Sequence, residues 1–293
     1  MSHILTLVTD QNDFPYDEIE AFLAIAPQWQ VLDSNKAIET PIALSSIENL
    51  QALCKVCDDA KVDVFVTPEK NRRKKLLLAD MDSTIVQGET LDDLAAYAGI
   101  KDQIAAITAR AMNGELDFHT AIRERVGLLK GLSAEMLHQT LQETYLNKGA
   151  KTLVQTMKKN DAVCVLISGG FTFFTEAIAR QTGFHHHHGN HLNIDDQVLA
   201  GTVGEPILDK DSKRDYLHNY VADLALDLFD VLTIGDGAND LPMLLAAQNA
   251  DGLGMGYYAK PAVAQQLTNV IRHTDLTAAL YAQGYKREEL MLE

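Results

Sequence analysis

Along this chain short apolar runs, each stopped by small or acidic residues, alternate with longer stretches whose apolar positions recur every three or four residues. The clearest runs are Leu76 to Ala79, Ala162 to Ile167 and Asp230 to Ile234. Their length and lack of polar alternation predict strands buried on both faces, as in a parallel sheet. Helical spacing predicts helices over Lys151 to Lys159, over Phe171 to Thr182, from Lys213 through Tyr220, and after Pro242. Short strands are expected at Asp251 to Gly256 and at Val270–Ile271, with a helix from Pro261 to Leu267 between them. Residues 184–207 read as a hairpin insertion, with alternation in His191 to Ile194 and in Val198 to Val203. Between the first run and the second, four helical patterns follow one another: Leu91 to Ala98, Ile100 to Met112, Phe118 to Leu129 and Ser133 to Tyr145. Strands alternating with helices predict an α/β fold, a Rossmann-like doubly wound parallel sheet, with this helical block inserted as a cap after the first strand.

The first 70 residues follow another pattern. Strands are predicted at Ile4 to Val8, Trp29 to Leu32, Ile38 to Leu44 and Val62 to Val66. A helix is predicted over Tyr16 to Ile25, and Ser45 or Ser46 is placed to cap a second one ending near Ala60. The order βαββαβ predicts a small α+β, ferredoxin-like module that resembles an ACT-like domain. It is read as a scaffold or an oligomerisation element, which leaves a homodimer open. Thr67 to Lys75, polar and basic, reads as a linker. The expected domains are therefore 1–70 and 71–293, the cap lying at about 88–149.

Composition narrows the function classes. The formal charge is −16 over 293 residues, which speaks against nucleic acid or an anionic membrane surface as a partner. An anionic small-molecule substrate would have to be drawn in by local positive groups. No apolar run approaches a membrane span, and the N-terminus lacks a secretory pattern, so a cytoplasmic protein is expected. Cys54 and Cys57 form a Cys-x-x-Cys pair, but they fall on an apolar helical face and are read, with Cys164, as reduced thiols.

Chemistry gathers where the apolar runs stop. The first ends at Asp80 and Asp82, followed by Ser83 and Thr84; the second at Ser168, Gly169 and Gly170; the third at Gly235, with Asp236, Asn239 and Asp240 following. In open α/β sheets ligands bind beyond the carboxyl ends of the strands. Carboxylates from two strands suit a hard cation such as Mg2+, while a hydroxyl, backbone N–H groups and the ammonium of Lys213 suit a phosphoryl group. The bland alternative for Asp-x-Asp-Ser-Thr is an Asx turn or a helix cap. The run His185 to His188 is read as a solvated or interface stretch rather than a metal site.

Asp80-Met-Asp-Ser-Thr84, Ser168-Gly-Gly170, Lys213 and Gly235-Asp-Gly-Ala-Asn-Asp240 resemble the four motifs of the haloacid dehalogenase (HAD) superfamily. Asp80 through Thr90, Met112 through Phe118 and on to Gly131, and Ser168 through Thr172 are similar to its phosphoserine phosphatases. The likeness covers about residues 74–282, and Met81 stands where a Phe is common. The resemblance implies a HAD fold and Mg2+-dependent hydrolysis of O-phospho-L-serine through an aspartyl-phosphate, as the last step of serine biosynthesis. It makes Asp80 the nucleophile and Asp82 the general acid and base. It gives the metal to the Asp80 and Asp236 carboxylates and the Asp82 main-chain carbonyl. Ser168, Gly169, Lys213 and Asn239 would hold the phosphoryl oxygens, with Thr84 and Asp240 supporting them. In the cap, Glu89 would take the substrate ammonium and Arg125 its carboxylate, with Met112 and Phe118 closing an apolar lid. A phosphotransferase, or a regulatory protein with an inert second domain, are the alternatives.

Overall fold

The structure, a computed structural model, describes residues 2–11, 13–23, 26–43, 50–112 and 115–292, leaving the Met112 side chain outside that description. The N-terminal elements run β1 (Ser2–Thr9), α1 (Tyr16–Glu20), β2 (Gln30–Asp33), β3 (Ala37–Ala43), α2 (Leu50–Asp59) and β4 (Val62–Pro68). Among the described residues they form a four-stranded antiparallel sheet ordered β2-β3-β1-β4, the order of a ferredoxin-like module. Helix α1 is shorter than its sequence pattern predicts, and Ile25, Leu44, Ser45 and Ser46 lie outside the described residues. Cys57, on α2, is buried and Cys54 partly so, both as free thiols, in the apolar cluster with Leu5, Leu7, Ile19 and Leu53.

The rest of the chain builds a six-stranded sheet from β5 (Leu76–Ala79), β6 (Val163–Phe171), β7 (His186–Asn190), β10 (Val231–Gly235), β11 (Leu253–Tyr257) and β12 (Asn269–Ile271), in the order β12-β11-β10-β5-β6-β7. Every pairing in it is parallel. β5 lies inside and is wholly buried, as its uninterrupted Leu-Leu-Leu-Ala predicts. Its alternate residues feed two cores. Leu77 and Ala79 join one with residues of α7 (Ala150–Lys159) and α8 (Thr172–Thr182). Leu76 and Leu78 join the other with α9 (Lys210–Asp223), α10 (Leu241–Gln248) and α11 (Pro261–Ala264). Helices on both faces make the sheet doubly wound, as expected. Among the described residues, no helix is long and apolar enough to cross a membrane.

The inserted block is helical as predicted: α3 (Thr90–Tyr97), α4 (Lys101–Met112), α5 (Phe118–Gly127) and α6 (Glu135–Gln142). Its two connections are stitched together. Val86 bridges Leu146, and the Asn147 amide donates to the Thr84 and Val86 carbonyls at 2.8 and 3.0 Å.

Two expectations are corrected. The hairpin predicted over 184–207 is smaller: β8 (Leu192–Asp195) pairs with β9 (Val198–Val203), while His186 to Asn190 adds a sixth parallel strand beside β6. The histidine run is therefore a sheet edge, with His188 stacked on Tyr216 at 4.1 Å and bonded to the Tyr220 hydroxyl at 2.8 Å. Second, β6 continues through Ser168-Gly-Gly to Phe171, so α8 starts at Thr172 without an intervening turn. The register slips between Ile167 and Phe171, which lets the small residues bulge toward the end of β5.

The predicted linker is held firmly. Lys74 is buried and donates to the Asn71 and Phe229 carbonyls, and Arg72 pairs with Glu39 at 2.7 Å. Beside it, the N-terminal sheet docks on the last elements of the chain, including α12 (Ala278–Tyr281). The Asp63 carboxylate accepts from the Arg272, His273 and Thr274 amides and from the Thr274 hydroxyl. The Tyr281 hydroxyl and Arg287 both donate to Asp33. Asp275 pairs with Lys36 in the turn between β2 and β3 and with Lys148 at the cap connection.

Candidate active site

β5, β6 and β10 end side by side, and their terminal residues converge. Asp80 follows β5 and is fixed by its N–H donating to the Ile234 carbonyl at 2.9 Å. Past it the chain cannot continue straight. Ser83 takes a left-handed conformation, φ 56°, and Val86 N–H returns to the Met81 carbonyl, closing a tight turn. That turn aims Asp82 toward β6. One Asp82 oxygen accepts from Thr90 N–H at 2.8 Å and the other from the Ser168 hydroxyl at 3.0 Å. Ser168 in turn accepts from Gly170 N–H at 2.8 Å.

Lys213, in the second turn of α9, is buried, and its Nζ reaches Asp80 Oδ1 at 2.5 Å and Asp240 Oδ1 at 2.6 Å. Burial alone would push the ammonium down, but Asp240 and Asp80 overcome it and hold it above the ordinary lysine range. Asp240 is the anchor of this group. Its Oδ2 accepts from the Asp236 and Gly237 amides at 3.2 and 3.0 Å, leaving its Oδ1 for Lys213. A glycine is needed at 235, because a Cβ there would lie 2.5 Å from Asp240 Cγ. Asn239 is exposed beside this turn, its amide 3.4 Å from Asp240.

The carboxylates are short of positive charge. Burial raises Asp80, and Asp240 adds to that effect against the pull of Lys213. Asp82 is raised by burial despite its hydrogen bonds, and Asp236 by burial despite Lys260, 3.5 Å away. One oxygen from each of Asp80, Asp236 and Asp240 falls within a 4.8 Å cluster, all three residues being buried. An all-oxygen set with surplus negative charge fits a hard divalent cation. Asp240 is already saturated, so Asp80 and Asp236 are the side chains left to hold it.

The cap closes over this end of the sheet. Glu89, open to solvent on one side, accepts from Ser83 Oγ at 2.9 Å; crowding by the surrounding chain, then Asp82, pushes its carboxyl up to about 7. Arg125 is half-buried, lowered by that burial and drawn back by Asp92 and Glu89. The Phe118 ring lies over Gly169, where an added Cβ would come within 3.6 Å of Cζ. Met112 ends α4, its side chain outside the described residues. Thr84 is fully buried; its hydroxyl has no hydrogen-bond partner, and its carbonyl accepts from Asn147.

Three contributors escape a reading of motifs. Asn190 clamps the β6 bulge, donating to the Gly169 carbonyl at 2.8 Å and accepting from Leu208 N–H at 2.7 Å. Lys260 stands past the end of β11, whose place beside β10 was the available clue. Thr90, the first residue of the cap helices, binds Asp82.

An acid-tipped, doubly wound parallel sheet with a buried lysine bridge and an inserted helical cap defines an α/β protein whose candidate site lies at the carboxyl ends of its strands. The chain belongs to the haloacid dehalogenase-like hydrolase family, whose pattern matches residues 77–245. It is 39% identical over 219 residues to a phosphoserine phosphatase of Streptomyces coelicolor, an alignment covering 75% of this chain and 52% of that one. It is 38% identical to the phosphoserine phosphatase of Lactococcus lactis, covering 71% of this chain and 94% of the relative. It thus spans little more than half the length of some curated relatives, 52% and 58% in two of them. A HAD family hydrolase from Salmonella enterica serovar Typhi superposes over 96% of this chain and 98% of its own, with a TM-score of 0.87 at 26% identity.

Proposed function

We propose that the protein hydrolyses O-phospho-L-serine to L-serine and phosphate, using Mg2+ and an aspartyl-phosphate at Asp80. The observation that carries this reading is the Lys213 bridge between Asp80 and Asp240, set beside the Ser168–Asp82 hydrogen bond. It supports that reading by bringing the Asp80 carboxylate, a counter-charge and the Asp82 carboxylate to the same strand ends. The names of the relatives in Streptomyces and Lactococcus support the substrate.

In the first step an Asp80 oxygen attacks phosphorus, the ester P–O bond breaks, and the Asp82 proton passes to the departing serine oxygen. Raising of Asp82 by burial favours the protonated form that this step requires. In the second step Asp82, now a carboxylate, takes a proton from water as the water attacks phosphorus, returning Asp80 and releasing phosphate. Ser168, the Gly169 amide, Lys213 and Asn239 hold the phosphoryl oxygens through both steps. Asp80, Asp236 and the Asp82 main-chain carbonyl would hold the cation, which, when bound, neutralises phosphoryl charge. Glu89 pairs with the substrate ammonium and Arg125 with its carboxylate. Phe118, with Met112, excludes water while the ester is cleaved.

Residues 71–293 would be the catalytic domain, with the cap at about 88–149 and Thr84 and Asp240 as supports. Residues 1–70 would serve as a scaffold, through which a homodimer can form. The protein would act in the cytoplasm, with which the free thiols agree, as the last step of serine biosynthesis. The test is phosphate release from L-phosphoserine and from a panel of other phosphomonoesters, with Mg2+ and with EDTA. Fast, EDTA-sensitive release that favours phosphoserine is expected. Equal rates on sugar phosphates would refute the assigned substrate.

A further inference from the structure

Asp82 has to give up a proton and then stay a well-oriented base, and the structure shows which groups hold it. One oxygen is fixed by Thr90 N–H at 2.8 Å. The other relies on the Ser168 hydroxyl at 3.0 Å. That second donor is the one the proposed reaction takes away, because Ser168 must turn to the phosphoryl group. A carboxylate left buried without its donor would be costly and free to rotate.

A replacement is already present. Thr90 is buried, 1% exposed; its hydroxyl oxygen makes no hydrogen bond of full geometry, yet it stands near enough to Asp82 to help hold that carboxyl down. An unpaired buried hydroxyl is uncommon and costs stability. This one is not misplaced at random. A Cβ built on Gly170 would lie 3.5 Å from Thr90 Oγ1 and 3.0 Å from both Asp82 Oδ2 and Ser168 Oγ. The three oxygens thus face one gap over the Gly170 α-carbon, kept open because residue 170 has no side chain.

Resting on the phosphatase reading above, we propose that Thr90 is a positioning residue for Asp82. When Ser168 donates to the phosphoryl group, the Thr90 hydroxyl donates to Asp82 Oδ2. As the proton of Asp82 leaves with the serine oxygen, the new carboxylate is held on one oxygen by Thr90 N–H and on the other by Thr90 O–H. No bond other than these hydrogen bonds changes at Thr90. Because Thr90 opens the first cap helix and follows Glu89 directly, the residue that meets the substrate ammonium is tied to the one that orients the acid.

The test uses the full chain and three proteins: wild type, Thr90→Val, which keeps the shape and loses the hydroxyl, and Thr90→Ser, which restores it. With L-phosphoserine and Mg2+, Thr90→Val is expected to lose about 10- to 100-fold in kcat, the usual effect of removing a hydrogen bond to a charged group. KM and inhibition by orthovanadate should stay within about twofold, since the phosphoryl pocket is intact, and Thr90→Ser should recover most of kcat. A Thr90→Val kcat equal to wild type would overturn the proposal. So would a Thr90→Ser protein as slow as Thr90→Val, or a loss shared equally by kcat, vanadate inhibition and Tm, which would mark a packing role. If wild type itself releases no phosphate from L-phosphoserine, the underlying phosphatase reading is what has failed.

Discussion

Two places where the molecule buries carboxylates treat them differently. At the seam between the N-terminal sheet and the end of the chain, burial would raise Asp33, but the Asn35 amide, the Tyr281 hydroxyl and Arg287 hold it below the usual range. Asp275 is likewise depressed, with Lys36 and Thr277 outweighing burial. At the strand ends, Asp80, Asp82, Asp236 and Glu89 are all raised, burial being the largest cause in each. At the seam, Asp33 and Asp275 have positive partners in the chain and serve folding; on the proposed function, the strand-end acids are left short of positive charge for groups that arrive with the reaction. Asp63 is the exception on the seam side. Its partners are neutral amides and a hydroxyl, and it too is raised by burial.

The sharpest way to break the comparison is to remove one acid from each place. Asp80→Asn should lower phosphate release from phosphoserine by at least about 10^4-fold, as loss of a nucleophile does. Its Tm should not fall, because Asp80, Asp236 and Asp240 outnumber the lysine that bridges two of them, so the buried site loses part of a surplus of negative charge. Asp63→Ala should do the reverse. It strands three amides and a hydroxyl, at a cost of about 3–5 kcal/mol in denaturant unfolding, with kcat of the folded protein unchanged. A stable Asp63→Ala protein would mean that the seam is not what holds the N-terminal sheet down.

The two regions also differed in how much of them could be read beforehand. The strand ends were legible because buried parallel strands leave uninterrupted apolar runs, and the groups that follow them fall in short motifs. The seam left no local pattern: Asp63 and Thr274 stand 211 residues apart. For the same reason Thr67 to Lys75 looked like a linker, although Arg72 and Lys74 find partners at Glu39 and Phe229. His186 to Asn190 failed differently. Histidine carries little strand preference, and only pairing with β6 makes this stretch a strand.

A smaller effect is expected from the cap. Arg125→Lys keeps the charge and loses the planar fork, so KM for phosphoserine should rise about tenfold with kcat nearly unchanged. Lys260, 3.5 Å from Asp236, is another cation beside the site. If Arg125→Lys leaves KM unchanged while Lys260→Met raises it, the substrate carboxylate has been assigned to the wrong group.

The smallest effect is the one that tells a waiting acid from a satisfied one. Glu89 is pushed up to about 7 in the folded protein from an ordinary value of 4.5. Between those values the folded state binds a proton that the unfolded state has lost, so stability falls as pH rises through this window. Above about 7 the full cost is present; below 4.5 it is absent. Asp33 and Asp275 have the opposite sign, contributing stability that is lost only as pH falls below the ordinary carboxylate range. Glu89→Gln should therefore raise Tm slightly at pH 8, by about 1–2 °C given the solvent on one side of the residue, and leave it unchanged at pH 4.5. It should also weaken stabilisation by added L-phosphoserine at pH 8, since the ammonium loses its partner. Were the Tm difference between the two proteins independent of pH, Glu89 would be an acid already satisfied within the chain, and its place in the substrate pocket would go with it.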